Sequence, residues 1–281
     1  MKCYDCPRGC GADRDMGEVG FCGGGRNARV AKVVEPFTYE EPCLGTVTAV
    51  FFGGCSLRCS YCQNIDISRG AVGNECDDAA LANIFGTAAY PLDLVTPTHY
   101  IGAIERALGL VGSTRGVIYN TSGYETTEGV KRAAEFTSVF LTDFKYADKT
   151  LAQKYSGAGD YFDKASAAVK LMRNTADEWE KTPSGQILKR GLIVRHLVLP
   201  DAVQNSIKVL DFIASTLGTD TVLSLMSQFT PNGAGEPNRR LRKIEYKIVQ
   251  EHALKLGFKN GYFQDFSSAS SAFTPDFHAD D

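Results

Sequence analysis

The sequence contains no run of apolar residues approaching the roughly 20 that a helix needs to cross a bilayer. The first five residues lack the apolar core of a signal peptide, which predicts a protein that is not exported. No basic block stands out and the net charge is −3, so nucleic acid and anionic membrane surfaces are poor candidate partners. We therefore expect partners of neither kind: no nucleic acid and no membrane.

The sequence does have 281 residues with 43% hydrophobic and 22% charged content, the profile of a globular protein with a sizeable core. It also has nine cysteines. An odd number of cysteines without an export signal argues for a reducing compartment, and for metal ligation over disulfides. We therefore expect a cytoplasmic protein, and cluster chemistry would make it sensitive to oxygen.

Three cysteines stand within eight residues, in the spacing C-x3-C-x2-C: Cys55, Cys59 and Cys62. They supply three thiolates without a nearby fourth, since the next cysteine, Cys76, lies in a polar stretch. A structural metal site normally closes its coordination, so three ligands suggest a metal centre with one open position. Soft thiolates select zinc, Cu(I) or iron–sulfur clusters. An iron–sulfur cube with one free iron fits better than zinc, while three cysteines packed in a core are the alternative.

A second set of cysteines precedes the first in the spacing C-x2-C-x3-C-x11-C: Cys3, Cys6, Cys10 and Cys22. Four thiolates close a coordination shell, which suits a structural zinc or a fully ligated auxiliary iron–sulfur cluster. Nothing in the spacing decides between zinc and iron, and reduced thiols without a metal are the alternative. We expect Cys43 and Cys76 to be spare.

Short β-branched or aromatic runs alternate with longer helical patterns, which predicts an α/β fold with parallel strands. The predicted strands are 46–52, 92–96, 116–120, 139–143, 192–199 and 221–226. The predicted helices are 77–90, 100–111, 126–136, 161–178, 205–217 and 239–255. Six such units form either an incomplete barrel or a doubly wound sheet, and the pattern favours neither. In both, ligands lie at the carboxyl ends of the strands.

The cysteine pattern with Tyr61 before its last cysteine, C-x3-C-x-aromatic-C, resembles the signature of the radical S-adenosylmethionine enzymes. The longer stretch 51–64 resembles the glycyl-radical-enzyme activases, typified by the pyruvate formate-lyase activating enzyme, and in particular the activase-like branch called PflX. The likeness continues through residues 6–10, 95–100, 119–125, 143–146 and 194–200.

This resemblance implies a partial (β/α)6 barrel over 45–266, preceded by a Cys-rich extension over 1–44 and followed by a tail over 267–281. It implies a [4Fe–4S] cluster on Cys55, Cys59 and Cys62 that cleaves S-adenosylmethionine reductively to methionine and a 5′-deoxyadenosyl radical. The expected reaction is hydrogen abstraction from a glycine of a glycyl radical enzyme, with a low-potential ferredoxin or flavodoxin as electron donor. The alternatives are radical modification of a small molecule or peptide, with an auxiliary N-terminal cluster, and a non-catalytic metal-binding module.

The resemblance also implies S-adenosylmethionine contacts after the strands. Activases typically carry Gly-Gly-Glu after the second strand, where this chain has Val-Thr-Pro-Thr-His, so Thr96 is the candidate there. Asn120 and Ser122 are candidates for the ribose or the methionine carboxylate, unless they cap the following helix. Asp143 and Lys145 resemble an Asp-x-Lys pattern with Lys145 toward a carboxylate, unless they form a structural ion pair. Only one of Arg195 and His196 can face the barrel interior, and His196 is the candidate for the ribose.

Overall fold

The computed structural model describes residues 2–69, 72–183, 185–233, 235–266 and 277. The strands in these ranges are β1 (Ala28–Phe37), β2 (Val47–Phe52), β3 (Asn74–Cys76), β4 (Leu92–Val95), β5 (Val117–Thr121), β6 (Val139–Asp143), β7 (Glu178–Thr182), β8 (Gly185–Leu197), β9 (Val222–Met226) and β10 (Gly261–Phe263). The α-helices are α1 (Ile65–Ser68), α2 (Asp78–Thr87), α3 (Ile101–Val111), α4 (Thr127–Ala134), α5 (Lys149–Ser156), α6 (Tyr161–Met172), α7 (Val203–Leu217) and α8 (Lys243–Leu256).

The strands form one sheet in the order β10-β9-β8-β6-β5-β4-β2-β1-β3, with β7 paired to β8. Pairing is parallel from β2 through β4, β5, β6, β8 and β9 to β10. The pairings of β1 with β2 and β3, and of β7 with β8, are antiparallel. Among the described strands β3 and β10 are edges that do not meet, so the sheet is a partial barrel and not a closed one.

Both faces of the parallel strands are buried, because helices cover the outer face and side chains fill the inner one. Along β2, Val47, Ala49 and Phe51 belong to the inner cluster. Val50 and Phe52 alternate with them and pack against α2 and α3 on the outer face. Such two-sided burial explains why these strands are near-continuous apolar runs.

The six strands predicted from the sequence correspond to β2, β4, β5, β6, β8 and β9. Two predicted helix starts are confirmed as caps, since Asp77 accepts a hydrogen bond from the Ala80 amide and Thr126 accepts one from the Gly129 amide. The predicted helix over 161–178 is too long: α6 ends at Met172, and Glu178 already begins β7.

The segment predicted as an extension, 1–44, is joined to the barrel by β1, which pairs with β2 along its length. The part before β1 contains the four N-terminal cysteines and lies beside the carboxyl end of β2, where the Cys55 amide donates to the Cys22 carbonyl at 3.0 Å. Of the predicted tail, only Phe277 is described. In the described ranges, every helix is too short or too polar to traverse a bilayer.

Candidate functional site

A cavity of about 230 Å³ opens at the carboxyl ends of the six parallel strands from β2 to β9. It combines apolar walls with polar and charged groups from every one of these strand ends. The predicted site residues that line it are Cys55, Cys59, Cys62, Thr96, Asn120, Ser122, Asp143 and Lys145. The structure therefore brings eight of the nine residues predicted for the cluster and S-adenosylmethionine to one place, whereas His196 lies elsewhere.

The loop that carries the three cysteines follows β2 and is folded by its own backbone. The Leu57 amide donates to Cys55 Sγ at 3.4 Å, and the Cys62 amide donates to the Cys59 carbonyl at 3.3 Å. The Leu57 side chain is buried and anchors the loop in the core. Cys59 is buried as well, and Cys55 and Cys62 are partly exposed. The loop thus presents three thiols to one cavity.

Hydroxyl groups surround the buried thiol of Cys59. Its Sγ lies 3.0 Å from Ser156 Oγ, which lies 2.7 Å from the Tyr146 hydroxyl. The Tyr146 hydroxyl donates in turn to that of Tyr61 at 2.7 Å. Burial raises the pKa of Cys59 to about 12, and the positive charge of Lys145 only partly offsets this effect. A metal that binds this sulfur must therefore displace a proton.

The three thiols suit an iron–sulfur cluster in number and in chemistry. Soft thiolates are the usual ligands of such clusters, and each thiolate binds a different iron. All three line one cavity, so a cluster of four irons held there would keep one iron without a protein ligand.

Asp143, Lys145 and Arg195 form a charged group on the wall of the same cavity. Asp143 accepts from Arg195 Nε at 2.9 Å and pairs with the Lys145 ammonium. Burial would raise the pKa of Asp143, but the two cations outweigh it and hold the pKa below its ordinary value. Burial would lower the pKa of Lys145, but Asp143 outweighs it and the pKa is raised. Asp143 and Lys145 thus share a face and form an ion pair at the cavity wall.

Two further carboxyl groups, which sequence reasoning missed, adjoin this wall. Arg195 donates to Glu40 at 2.7 Å and to the Asn120 carbonyl oxygen Oδ1 at 2.6 Å, and Asn120 Nδ2 lies 3.4 Å from Asp93. Burial raises the pKa of both Glu40 and Asp93. The sequence did contain a signal for Asp93, since this carboxylate interrupts the apolar run of β4. Glu40 had none, because the loop before β2 meets the cavity only in the folded chain.

The prediction that His196 faces the barrel interior is wrong, because the side chain of Arg195 occupies that face. Strands β6 and β8 pair so that Asp143 lies opposite Arg195, and the next residue must point outward. His196 Nδ1 donates to the Phe144 carbonyl at 2.7 Å, and Nε2 accepts from the Ser206 hydroxyl at 2.8 Å. Burial lowers its pKa to about 4, so it is a neutral residue that attaches α7 to the sheet.

Asn120 and Ser122 do not cap the helix that follows them, because Thr126 takes that position. The Tyr161 hydroxyl fixes this strand end instead. It donates to the Ser122 carbonyl at 2.8 Å and accepts from the Lys145 amide at 2.9 Å. A single buried side chain from α6 thereby sets the spacing between the ends of β5 and β6.

Thr96 directly follows β4 and has a φ of 62°, a left-handed conformation that is rare for a β-branched residue. Its amide donates to the Asn120 carbonyl at 2.8 Å and so joins the ends of β4 and β5. Residues held in such conformations cost about 1–3 kcal/mol and persist where the surroundings impose them. Backbone strain therefore falls at a residue that lines the cavity.

We predict that Thr96→Gly raises the free energy of unfolding by about 1 kcal/mol, because glycine adopts positive φ without a steric penalty. Chemical denaturation of the purified proteins measures the difference. Thr96→Ala is the matched control, since it also removes the hydroxyl but keeps Cβ. A glycine variant less stable than the alanine variant would contradict the inferred strain.

No protein-family model matches the chain. It is 25% identical over 274 residues to an uncharacterized protein of Methanocaldococcus jannaschii, covering 92% of this chain and 75% of that protein.

Two solved structures are similar. Streptococcus suis SuiB bound to precursor peptide SuiA matches 76% of this chain and 48% of its own, with 12% identity and a TM-score of 0.52. Native anSMEcpe with bound AdoMet matches 75% of this chain and 61% of its own, with 14% identity and a TM-score of 0.50. The chain thus spans about half the length of SuiB. Both are radical S-adenosylmethionine enzymes, and this chain has the partial-barrel fold of that superfamily.

Proposed function

We propose that the protein is a radical S-adenosylmethionine enzyme. The observation that carries the proposal is the meeting of three thiols from one short loop with polar groups from five other strand ends in a single cavity. A non-catalytic metal module would need the thiols but not the polar wall facing them. The shared fold supports the same conclusion.

In this proposal Cys55, Cys59 and Cys62 hold a [4Fe–4S] cluster and leave one iron open for the amino and carboxylate groups of S-adenosylmethionine. When bound, the two cofactors would supply a 5′-deoxyadenosyl radical that takes a hydrogen atom from the substrate. The protein would bind and orient these cofactors, and it would exclude competing reactions.

The charged wall of the cavity is suited to binding and orienting S-adenosylmethionine. Lys145 is held as a cation beside Asp143, so it provides a positive charge for the methionine carboxylate. Asn120 and Ser122, at the end of β5, offer amide and hydroxyl groups for the ribose or for that carboxylate. Apolar side chains such as Phe51 and Met226 line the same cavity and reduce the access of water to a reactive intermediate.

For the substrate we propose a glycine of a glycyl radical enzyme, from which the hydrogen atom passes to the 5′ carbon and leaves a glycyl radical on the partner. The likeness of residues 51–64 to the activases supports this choice. The single electron would come from a low-potential ferredoxin or flavodoxin. A second candidate is radical modification of a peptide, and it is favoured by the fold shared with SuiB, whose structure contains a precursor peptide.

The first test is release of 5′-deoxyadenosine. We expect anaerobically reconstituted protein, given dithionite and S-adenosylmethionine, to form 5′-deoxyadenosine and methionine, as measured by liquid chromatography. Cys59→Ala should form neither, since it loses a cluster ligand. Cys43→Ala is the matched control, because Cys43 is buried away from the cavity, and it should keep the activity. A fully loaded wild-type protein that forms no 5′-deoxyadenosine would refute the proposal.

The substrate is tested with a candidate partner that carries deuterated glycine. Transfer of deuterium into 5′-deoxyadenosine, together with a glycyl radical signal in electron paramagnetic resonance, supports the activase reaction. Deuterium transfer from a peptide without a glycyl radical signal, and with a stable mass change in that peptide, supports peptide modification instead.

The adjacent residues Arg195 and His196 provide a matched pair. We predict that Arg195→Lys weakens S-adenosylmethionine binding by about tenfold, because lysine cannot hold Asp143, Glu40 and Asn120 together through one planar fork. His196→Asn should leave binding within about twofold and lower the free energy of unfolding by about 1–2 kcal/mol, through lost buried hydrogen bonds. Equilibrium binding and chemical denaturation measure the two effects. The reverse pattern would place His196, and not Arg195, at the cofactor.

A further inference from the structure

The four N-terminal cysteines form a group of their own, separate from the cavity. The Gly24 amide, two residues further along the chain, donates to Cys22 Sγ at 3.3 Å. The Asp5, Arg8 and Ala12 amides stand in the same i+2 relation to Cys3, Cys6 and Cys10 and act to lower the pKa of each thiol. An amide that points at a sulfur stabilises its anionic form, and such bonds also tune iron–sulfur clusters. Burial opposes this effect and raises the pKa of Cys3, Cys6 and Cys22, so a metal that binds these sulfurs must displace a proton.

The same i+2 arrangement recurs in the cavity loop, where the Leu57 amide donates to Cys55 Sγ at 3.4 Å. The two cysteines outside both sets have other neighbours. Cys76 donates its thiol hydrogen to the Asn74 carbonyl at 3.6 Å, and Cys43 lies beside the Tyr262 side chain. A backbone amide that donates to a sulfur is thus found in both cysteine sets.

A glycine lies between two of the sulfurs. A Cβ on Gly20 would lie 3.3 Å from Cys10 Sγ and 3.4 Å from Cys22 Sγ. Cys3, Cys6 and Cys22 are buried, while Cys10 is exposed. A side chain at Gly20 would therefore crowd both of these sulfurs.

Charge at this site also suits an anionic centre. Arg14 Nη2 lies 3.5 Å from Cys22 Sγ. The Cys3 thiol donates to the Asp5 carboxylate at 3.5 Å, and this carboxylate is also paired with Arg132 at 2.8 Å and with Arg14 at 3.6 Å. The nearby anion is therefore compensated by cations.

We propose that Cys3, Cys6, Cys10 and Cys22 hold a second [4Fe–4S] cluster, with a protein ligand on every iron. Four thiolates leave no position open for a substrate. The hydrogen bond from the Cys55 amide to the Cys22 carbonyl places this centre directly beside the cavity loop. The site does not depend on the proposed function.

The test uses the full chain with the cavity cysteines removed, Cys55→Ala/Cys59→Ala/Cys62→Ala, reconstituted anaerobically with iron and sulfide. We expect about four irons and four sulfides per chain, against about eight of each in the wild type. Adding Cys6→Ala and Cys22→Ala should remove them. Adding Cys43→Ala instead should not, and this variant is the matched control for loss of a buried cysteine.

Elemental analysis separates the outcomes. One zinc per chain in place of iron, or no metal in the variant without cavity cysteines, would overturn the second cluster. About four irons in both that variant and the wild type would instead refute the cavity cluster and leave the second cluster standing. If the variant does not fold, ⁵⁷Fe Mössbauer spectroscopy of the wild type decides. Addition of S-adenosylmethionine should change about one iron site in eight, whereas a change of one in four would mean a single cluster.

Discussion

The buried guanidinium of Arg195 holds together the wall on which the candidate site depends. It bonds Asp143 on β6, Asn120 on β5 and Glu40 in the loop before β2, and so joins three neighbouring strands and a distant loop. Burial would lower its pKa, but the carboxylates of Asp143 and Glu40 outweigh this and keep it charged. Removing one partner from such a buried pair typically costs about 3–5 kcal/mol. Arg195 fixes the Asp143 carboxylate, and Asp143 in turn fixes the Lys145 ammonium with which it pairs.

The loop that carries the three cavity cysteines depends on the N-terminal segment. The Arg8 guanidinium donates to the Ser56 carbonyl at 2.7 Å and to the Gly157 carbonyl at 2.5 Å, and the Cys22 carbonyl accepts from the Cys55 amide. The N-terminal segment therefore fixes the loop that carries the three cysteines. The cavity is lined by parts of the chain that are far apart in sequence, and the cysteine loop among them is positioned by hydrogen bonds to its backbone.

The sequence was sufficient for six of the seven described parallel strands, because strands buried on both faces are near-continuous apolar runs. It was also sufficient for the cysteines, because their spacing is local. It was insufficient for α5, a short polar helix, and for the strand that begins at Glu178, whose residues are almost all exposed. The alternation of side chains showed that Arg195 and His196 face opposite sides. Which side each one faces depends on the register with β6, a tertiary fact. Glu40 reaches the cavity through a contact that no local pattern encodes.

Electron–nuclear double resonance can show whether the three-cysteine loop presents an open iron to S-adenosylmethionine. The measurement uses reduced protein with S-adenosylmethionine labelled with ¹⁵N at the amino group and ¹⁷O at the carboxylate. We expect both labels to couple to the cluster in the wild type and neither to couple in Cys59→Ala. Tight binding of the labelled compound to cluster-loaded wild-type protein without either coupling would contradict an open iron at this loop.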